Sequence, residues 1–169
     1  LGDERMHQRP IGDLVSALKL LIKGSIEAVG ENVKGEKCPP VMIKTDWFKG
    51  GRTTLKGDTS SQYLSSILMV APYASSDVEV RIATELTSKP YVDMTIDIMR
   101  QFRVNVERDG YERFFVKAGQ KYHGRDYQIE GDASSASYFF AAAAITGGRV
   151  KVGNVNPNSV QGDMRFVDV

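Results

Sequence analysis

GDTSSQYLSSILMVAPYA, residues 57–74, and GDASSASYFFAAAAITGG, residues 131–148, open in the same way. Each writes Gly-Asp-x-Ser-Ser and then runs into apolar residues. A helix that is apolar on nearly every face belongs inside a fold. The stretches that follow, DVEVRIA at 77–83 and GRVKVGNV at 148–155, alternate apolar and polar residues instead. Alternation marks a strand with one wet face. Together these patterns predict buried helices and solvent-facing sheets, an inside-out α/β arrangement that reverses the usual sandwich order.

Working outward, RPIGDLVSALKLLI at 9–22 carries Ile11, Leu14, Val15, Leu18 and Leu21 at helical spacing, with Pro10 in the first turn. GSIEAVGENVKGEKCPPVMIKT at 24–45 reads as strands and turns, and GRTTLKG at 51–57 as a short strand. SKPYVDMTIDIMRQF at 88–102 is a second amphipathic helix, followed by a hairpin around Asp109-Gly110. DYQIEGD at 126–132 is a further strand, 134–147 a third buried helix, and 159–169 the start of another helix. PIGDLVSAL also resembles PYVDMTIDI, with Asp13 answering Asp93. The repeating unit is strand, helix, strand, helix, then two strands. The chain is expected to hold the tail of one unit, one whole unit and the head of another. In this unit Glu79 is expected on the wet face of its strand.

Composition narrows the chemistry. Of 169 residues, 41% are hydrophobic and 25% charged, which is the balance of a soluble globular protein. A net charge of +1 offers no field to attract nucleic acid or a membrane. The single cysteine, Cys38, fits a reducing compartment, and two separated histidines, His7 and His123, make a metal site unexpected. The longest apolar run, 138–145, is too short to span a bilayer, and the first residues lack a secretory signal. The chain starts without methionine and stops at RFVDV within an amphipathic pattern, so it reads as a piece of a longer polypeptide.

The serine pairs carry the site expectation. The first N–H groups of a helix have no internal partner, and the helix dipole places partial positive charge there. Serine hydroxyls add donors without bulk, which suits a phosphate. The plainer reading of the same residues is an N-cap at Ser60. Gln62 adds an amide after the first pair, whereas Ala136 stands at its place after the second. The ligand is therefore expected at Ser60-Ser61-Gln62, and Ser134-Ser135 are expected to cap. Ser88 and Tyr91 in TSKPY repeat the idea at the next helix, Ser88 as a cap or an anion donor and Tyr91 as a cover for a ring. Arg5 and Arg9 are candidate clamps for a carboxylate or phosphate, or solvated arginines.

ERMHQRPIGDL, GDTSSQYLSSILMVAP, SKPYVDMT and YQIEGDASSASYFFAAAAITGG, in this order, resemble the 5-enolpyruvylshikimate-3-phosphate synthase (EPSP synthase) family. The resemblance runs over nearly the whole chain. It implies transfer of the enolpyruvyl group of phosphoenolpyruvate to the 5-hydroxyl of shikimate 3-phosphate, without metal or organic cofactor. It implies a monomeric two-domain enzyme of buried-helix repeats in bacterial cytoplasm or a plastid. Residues 1–130 would be the carboxyl-terminal part of the first, shikimate-3-phosphate-binding domain, and 131–169 the start of the second. By the same resemblance, Ser60, Ser61 and Ser88 hold the phosphate of shikimate 3-phosphate and Tyr91 lines that pocket. Gln62 sits between the two substrates, Arg5 binds phosphoenolpyruvate, and Asp132 is structural.

The sequence departs from the family in a longer 24–38 segment and in Arg103, where a glycine is common. The family's Lys-Ser…Arg segment, its Asn-Ala-Gly-Thr loop, its catalytic aspartate and two further phosphoenolpyruvate arginines are not among these residues. The chain would thus supply mainly the shikimate 3-phosphate half-site, working with the remainder of the polypeptide. The alternative is an inactive piece that at most binds an anion weakly. SSQYL and SKPY argue against the related peptidoglycan enolpyruvyl transferase.

Overall fold

A computed structural model describes residues 2–168. The chain divides into two compact units, Leu1–His123 and Gly124–Val169.

In the first unit, α1 (Glu4–His7) and α2 (Gly12–Lys19) precede an antiparallel pair, β1 (Ile22–Glu31) and β2 (Lys37–Phe48). Then come β3 (Gly51–Leu55), α3 (Ser61–Val70), β4 (Val78–Ile82), α4 (Lys89–Gln101), β5 (Glu107–Asp109) and β6 (Arg113–Val116). From β3 to β6 the order is the predicted strand, helix, strand, helix, two strands. These four strands form one sheet in the order β3-β4-β6-β5, with β3 and β4 parallel and the other pairs antiparallel. A parallel pair needs a crossover, and α3 supplies it. The short α1 was not foreseen. It is capped by Asp3, whose carboxylate accepts the Met6 N–H at 2.9 Å.

Alternation explains the core. Leu55, Val78, Val80, Phe114 and Val116 line one face of the sheet and pack with Ala17 and Leu21 of α2, Leu64, Ile67 and Leu68 of α3, and Val92 and Met99 of α4. The other face carries Arg52, Glu79, Arg81, Arg113 and Phe115. Glu79 departs from expectation, because it is only 9% exposed. Arg81 Nε donates to its carboxylate at 2.8 Å and Arg52 Nε lies 3.8 Å away. The long arginine stems cover the carboxylate, and the hydrogen bond from Arg81 holds its carboxyl below the usual range.

At the end of α4, Val104 N–H donates to Met99 O and Arg103 N–H to Arg100 O, both at 2.9 Å. This is a Schellman closure. It puts Arg103 at φ 67, in the left-handed region.

The second unit contains α5 (Ala133–Thr146) and a short 3-10 helix, Gly162–Asp168. Here three expectations fail. The helix α5 is not buried: Tyr138 is 77% and Ile145 85% exposed, and only Ala133 and Ala136 are enclosed among the described residues. One helix and one 3-10 turn within this unit provide no second layer to cover it. Residues 126–132 and 148–155 form no strand. Instead Gly131 N–H donates to Asn154 O at 2.6 Å, Asn154 Nδ2 to Ile129 O at 2.9 Å, and Gln128 Nε2 to Asn154 Oδ1 at 2.9 Å. The Asn154 side chain takes up the Ile129 carbonyl, a group that a ladder would use. Residues 159–169 give the 3-10 turn rather than an α-helix over their described part.

Candidate functional site

Because β3 and β4 run parallel, the loops that leave them emerge at the same end of the sheet. Ala83 N–H donates to Leu55 O at 2.9 Å, carrying the pairing just past the strands. Beyond it the loops grip one another at Gly57. The Gly57 N–H donates to Thr84 Oγ1 at 2.9 Å, and the Asp58 N–H to the same oxygen at 3.3 Å. The Gly57 carbonyl accepts from the Thr87 N–H at 3.0 Å and from Thr87 Oγ1 at 3.1 Å. Gly57 is buried, and a Cβ there would lie 2.6 Å from Thr84 O and 2.8 Å from Glu85 O. Only glycine allows so close an approach. Farther along, Ser65 Oγ of α3 and Thr95 Oγ1 of α4 are 2.8 Å apart. The starts of α3 and α4 are thereby set side by side.

The start of α2 joins them. Asp13 accepts from Thr59 Oγ1 at 2.8 Å and lies 3.8 Å from Lys56 Nζ. The Tyr63 hydroxyl donates to Pro10 O, and burial pushes the Tyr63 phenol up.

Ser60 is the N-cap of α3. Its backbone is extended, φ −167 and ψ 125, and its Oγ accepts the Gln62 N–H at 3.2 Å. Ser61 opens the helix and Gln62 follows it, exposed. Among the described residues, the Ser61 hydroxyl and the Gln62 side-chain amide make no hydrogen bond. Ser88 occupies the N-cap position of α4 but does not cap it. Capping uses extended backbone, whereas Ser88 is left-handed at φ 54, ψ 42, and its hydroxyl makes no bond to the helix. Pro90 falls within the first turn and Tyr91 is exposed. Ser60, Ser61, Gln62, Ser88 and Tyr91 thus stand at two adjacent helix starts. Arg5 is exposed on α1, and no hydrogen bond or ion pair ties it to those residues among the described part. Arg9 is likewise exposed.

A groove of about 530 Å³ lies beside this edge and not on it. It is bounded by Asp13, Lys19, Lys37, Lys56, Thr59 and Tyr63 and includes none of the five residues above. Its lysines are offset by Asp13, Glu27 and Glu36, so it has no net pull on an anion.

The second Gly-Asp-x-Ser-Ser copy is built differently. Asp132, not either serine, caps α5: its carboxylate accepts from the N–H groups of Ser134 and Ser135, each at 3.2 Å. The expectation that Ser134 and Ser135 cap is corrected accordingly. Asp132 lies two residues farther upstream, and a carboxylate there reaches the same N–H groups. Ser135 Oγ donates to Asp132 at 2.6 Å, and Ser134 Oγ donates to Asp163. The Ser135 hydroxyl, followed by these backbone donors, holds the Asp132 carboxyl below its ordinary range. Among the described residues no group of three or more histidine, cysteine, aspartate or glutamate side chains could hold a metal. No helix there is long and apolar enough to cross a membrane.

The family model of EPSP synthase (3-phosphoshikimate 1-carboxyvinyltransferase) matches residues 1–169. The chain belongs to the EPSP synthase family. A 3-phosphoshikimate 1-carboxyvinyltransferase of Marinomonas sp. (strain MWYL1) is 51% identical over 170 residues, 99% of this chain and 39% of that protein. Its namesake from Buchnera aphidicola subsp. Schizaphis graminum is 52% identical over 169 residues, 99% of this chain and 38% of its own length. The chain therefore spans about two fifths of these relatives. The structure of an EPSP synthase from Acinetobacter baumannii superposes with TM-score 0.67 at 29% identity, covering 86% of this chain and 30% of that one. The mixed α/β fold expected from the repeats is that of EPSP synthase. Sequence reasoning missed Thr84 and Thr87, since isolated threonines in a loop carry no pattern. The one available signal was the glycine at the head of each copy, which marks where another segment presses on the backbone.

Proposed function

We propose that this chain supplies the shikimate 3-phosphate half-site of an enzyme that transfers the enolpyruvyl group of phosphoenolpyruvate to the 5-hydroxyl of shikimate 3-phosphate. The observation that carries this reading is the clasp at Gly57, which sets Ser60-Ser61-Gln62 beside Ser88-Tyr91 with the Ser61, Gln62 and Ser88 side chains unengaged. In this reading the hydroxyls of Ser60, Ser61 and Ser88 donate to the phosphate, aided by the N–H groups of Ser61 and Lys89 that open α3 and α4. Gln62 reaches toward both substrates, and the Tyr91 ring lies against the shikimate ring. Arg5 takes the phosphoenolpyruvate carboxylate or phosphate. Residues 1–130 close the first domain and 131–169 open the second, where Asp132 is structural. The rest of the polypeptide supplies the acid and base groups that move protons as phosphate leaves, with no cofactor. The bacterial relatives support a cytoplasmic setting.

The test is a titration of the ¹⁵N-labelled chain with shikimate 3-phosphate. Saturable shifts at Ser60–Gln62 and Ser88–Tyr91, with Ser134 and Ser135 unmoved, are expected. Shifts confined to Ser134 and Ser135, or none at phosphate-saturating concentrations, would overturn the assignment.

A further inference from the structure

We propose that Thr84 and Thr87 are positioning residues for phosphate recognition, gripping the Gly57 peptide so that the two serine loops keep one fixed register. The proposal rests on the shikimate 3-phosphate reading above.

The Gly57 peptide groups are held from both sides. Thr84 Oγ1 receives the Gly57 N–H and the next N–H, of Asp58, while Thr87 gives both its N–H and its hydroxyl proton to the Gly57 carbonyl. These bonds join residues 27 and 30 positions apart, so they constrain the two loops relative to each other and not merely within themselves. Leu86, buried between the two threonines, ties the same loop into the core. The contact distance is set by the missing Cβ of Gly57.

The consequence falls on Ser60 and Ser88. Ser60 lies three residues after Gly57, and Ser88 directly follows Thr87. A phosphate oxygen needs its donors near 2.7–2.9 Å with narrow angular tolerance. Donors on two separate loops meet that demand only when the loops are held in register. Ser88 adds a second requirement. A serine at φ 54 is strained and persists only when its surroundings impose the conformation. The residue before it is pinned twice to Gly57. That pin delivers the chain into Ser88 in the left-handed turn and leaves its hydroxyl off the helix it heads. Neither threonine touches the ligand in this account; each acts through the serines.

The test compares Thr84→Val/Thr87→Val, and each single variant, with Thr84→Ser/Thr87→Ser. Binding of shikimate 3-phosphate and of unphosphorylated shikimate is followed by ¹⁵N NMR titration, with thermal unfolding measured on every variant. Removal of the hydroxyls is expected to weaken shikimate 3-phosphate roughly tenfold or more, to leave shikimate nearly unchanged, and to keep the protein folded. The serine pair is expected to restore phosphate recognition. Equal loss for both ligands, loss that only follows unfolding, or failure of serine to rescue would assign the threonines to stability alone and overturn the proposal. If the wild-type chain binds shikimate 3-phosphate and the valine variants bind it equally well, the positioning role fails while the half-site stands. If the wild-type chain binds neither ligand, the half-site reading itself fails.

Discussion

The two Gly-Asp-x-Ser-Ser copies begin their helices at different points. In the first the cap is Ser60 and α3 starts at Ser61; in the second the cap is Asp132 and α5 starts at Ala133, two aligned positions earlier. The difference decides what happens to the hydroxyls. Asp132 takes the first N–H groups and the Ser135 hydroxyl, and Asp163 takes Ser134. Two carboxylates at that helix start repel an incoming anion and occupy its donors. In the first copy the Gly57 clasp draws the Asp58 N–H to Thr84, and the cap falls to a neutral serine. One written motif thus leaves serine hydroxyls free to donate in one place and yields a self-satisfied cap in the other. A motif states which groups are available; the segment lying against it states which remain free.

The largest expected effect separates the helices themselves. Leu68 of α3 is fully buried, and Leu68→Asp would place an unpaired charge in the core, costing several kcal/mol, roughly 3–5, and unfolding the first unit. Tyr138→Asp, on the exposed face of α5, should leave thermal unfolding within about 0.5 kcal/mol of the parent. Similar losses in the two variants would erase the contrast.

Next in size is the cap. Asp132→Ala should cost about 1 kcal/mol and fray the first turn of α5, seen as faster amide exchange at Ser134 and Ser135. Asp58→Ala should leave the start of α3 protected, because Ser60 holds it. Fraying of α3 in the Asp58 variant would show that both copies cap alike.

The carboxyl-terminal ends of the helices offer a smaller effect. The left-handed residue closing α5 is Gly147, at φ 65, whereas in the closure of α4 it is Arg103. Arg103→Gly relieves side-chain strain and loses some of that gain to unfolded-state freedom, for a net stabilisation of about 0.5–1 kcal/mol. A lower melting temperature would contradict the assignment.

The smallest effect is a pH dependence. The Asp132 carboxyl titrates below its ordinary value near 3.8, chiefly through the Ser135 hydroxyl. A depressed folded-state value means that the stabilisation is fully present above the unfolded value. It is lost as pH falls from there through the folded one. Amide protection of the first turn of α5 should therefore fade only in that acid window, and Asp132→Asn should remove the fade. A midpoint above 3.8 would contradict the cap geometry.

The repeating unit from β3 to β6 was legible because periodicity reports which faces are buried. The packing of Leu64, Ile67 and Leu68 against alternating strands is the direct expression of that pattern. The burial of Glu79 is not written in the alternation, which marks a face of the sheet, while its coverage comes from arginines on that face, Arg52 of the neighbouring β3 and Arg81 of β4 itself. The exposure of α5 was illegible for a related reason: an apolar helix states a need for burial, and only the surrounding elements meet it. At the candidate site Ser60 could be read as a cap directly. Ser88 could not, since its left-handed backbone follows from the Thr87–Gly57 contact and not from its own residue type. The double role of Asp132 was hidden because Asp58 occupies the matching place and does something else.

The most direct measurement is calorimetric binding of shikimate 3-phosphate to two double variants, with folding confirmed by circular dichroism. Ser60→Ala/Ser61→Ala removes two hydroxyls from the first copy, each contributing roughly 1.5–3 kcal/mol to a charged partner. Affinity should fall by on the order of a hundredfold or more while the fold is kept. Ser134→Ala/Ser135→Ala should bind as the parent does, because Asp132 and Asp163 already occupy those hydroxyls. Retained binding in the first variant together with lost binding in a folded second variant would contradict the account.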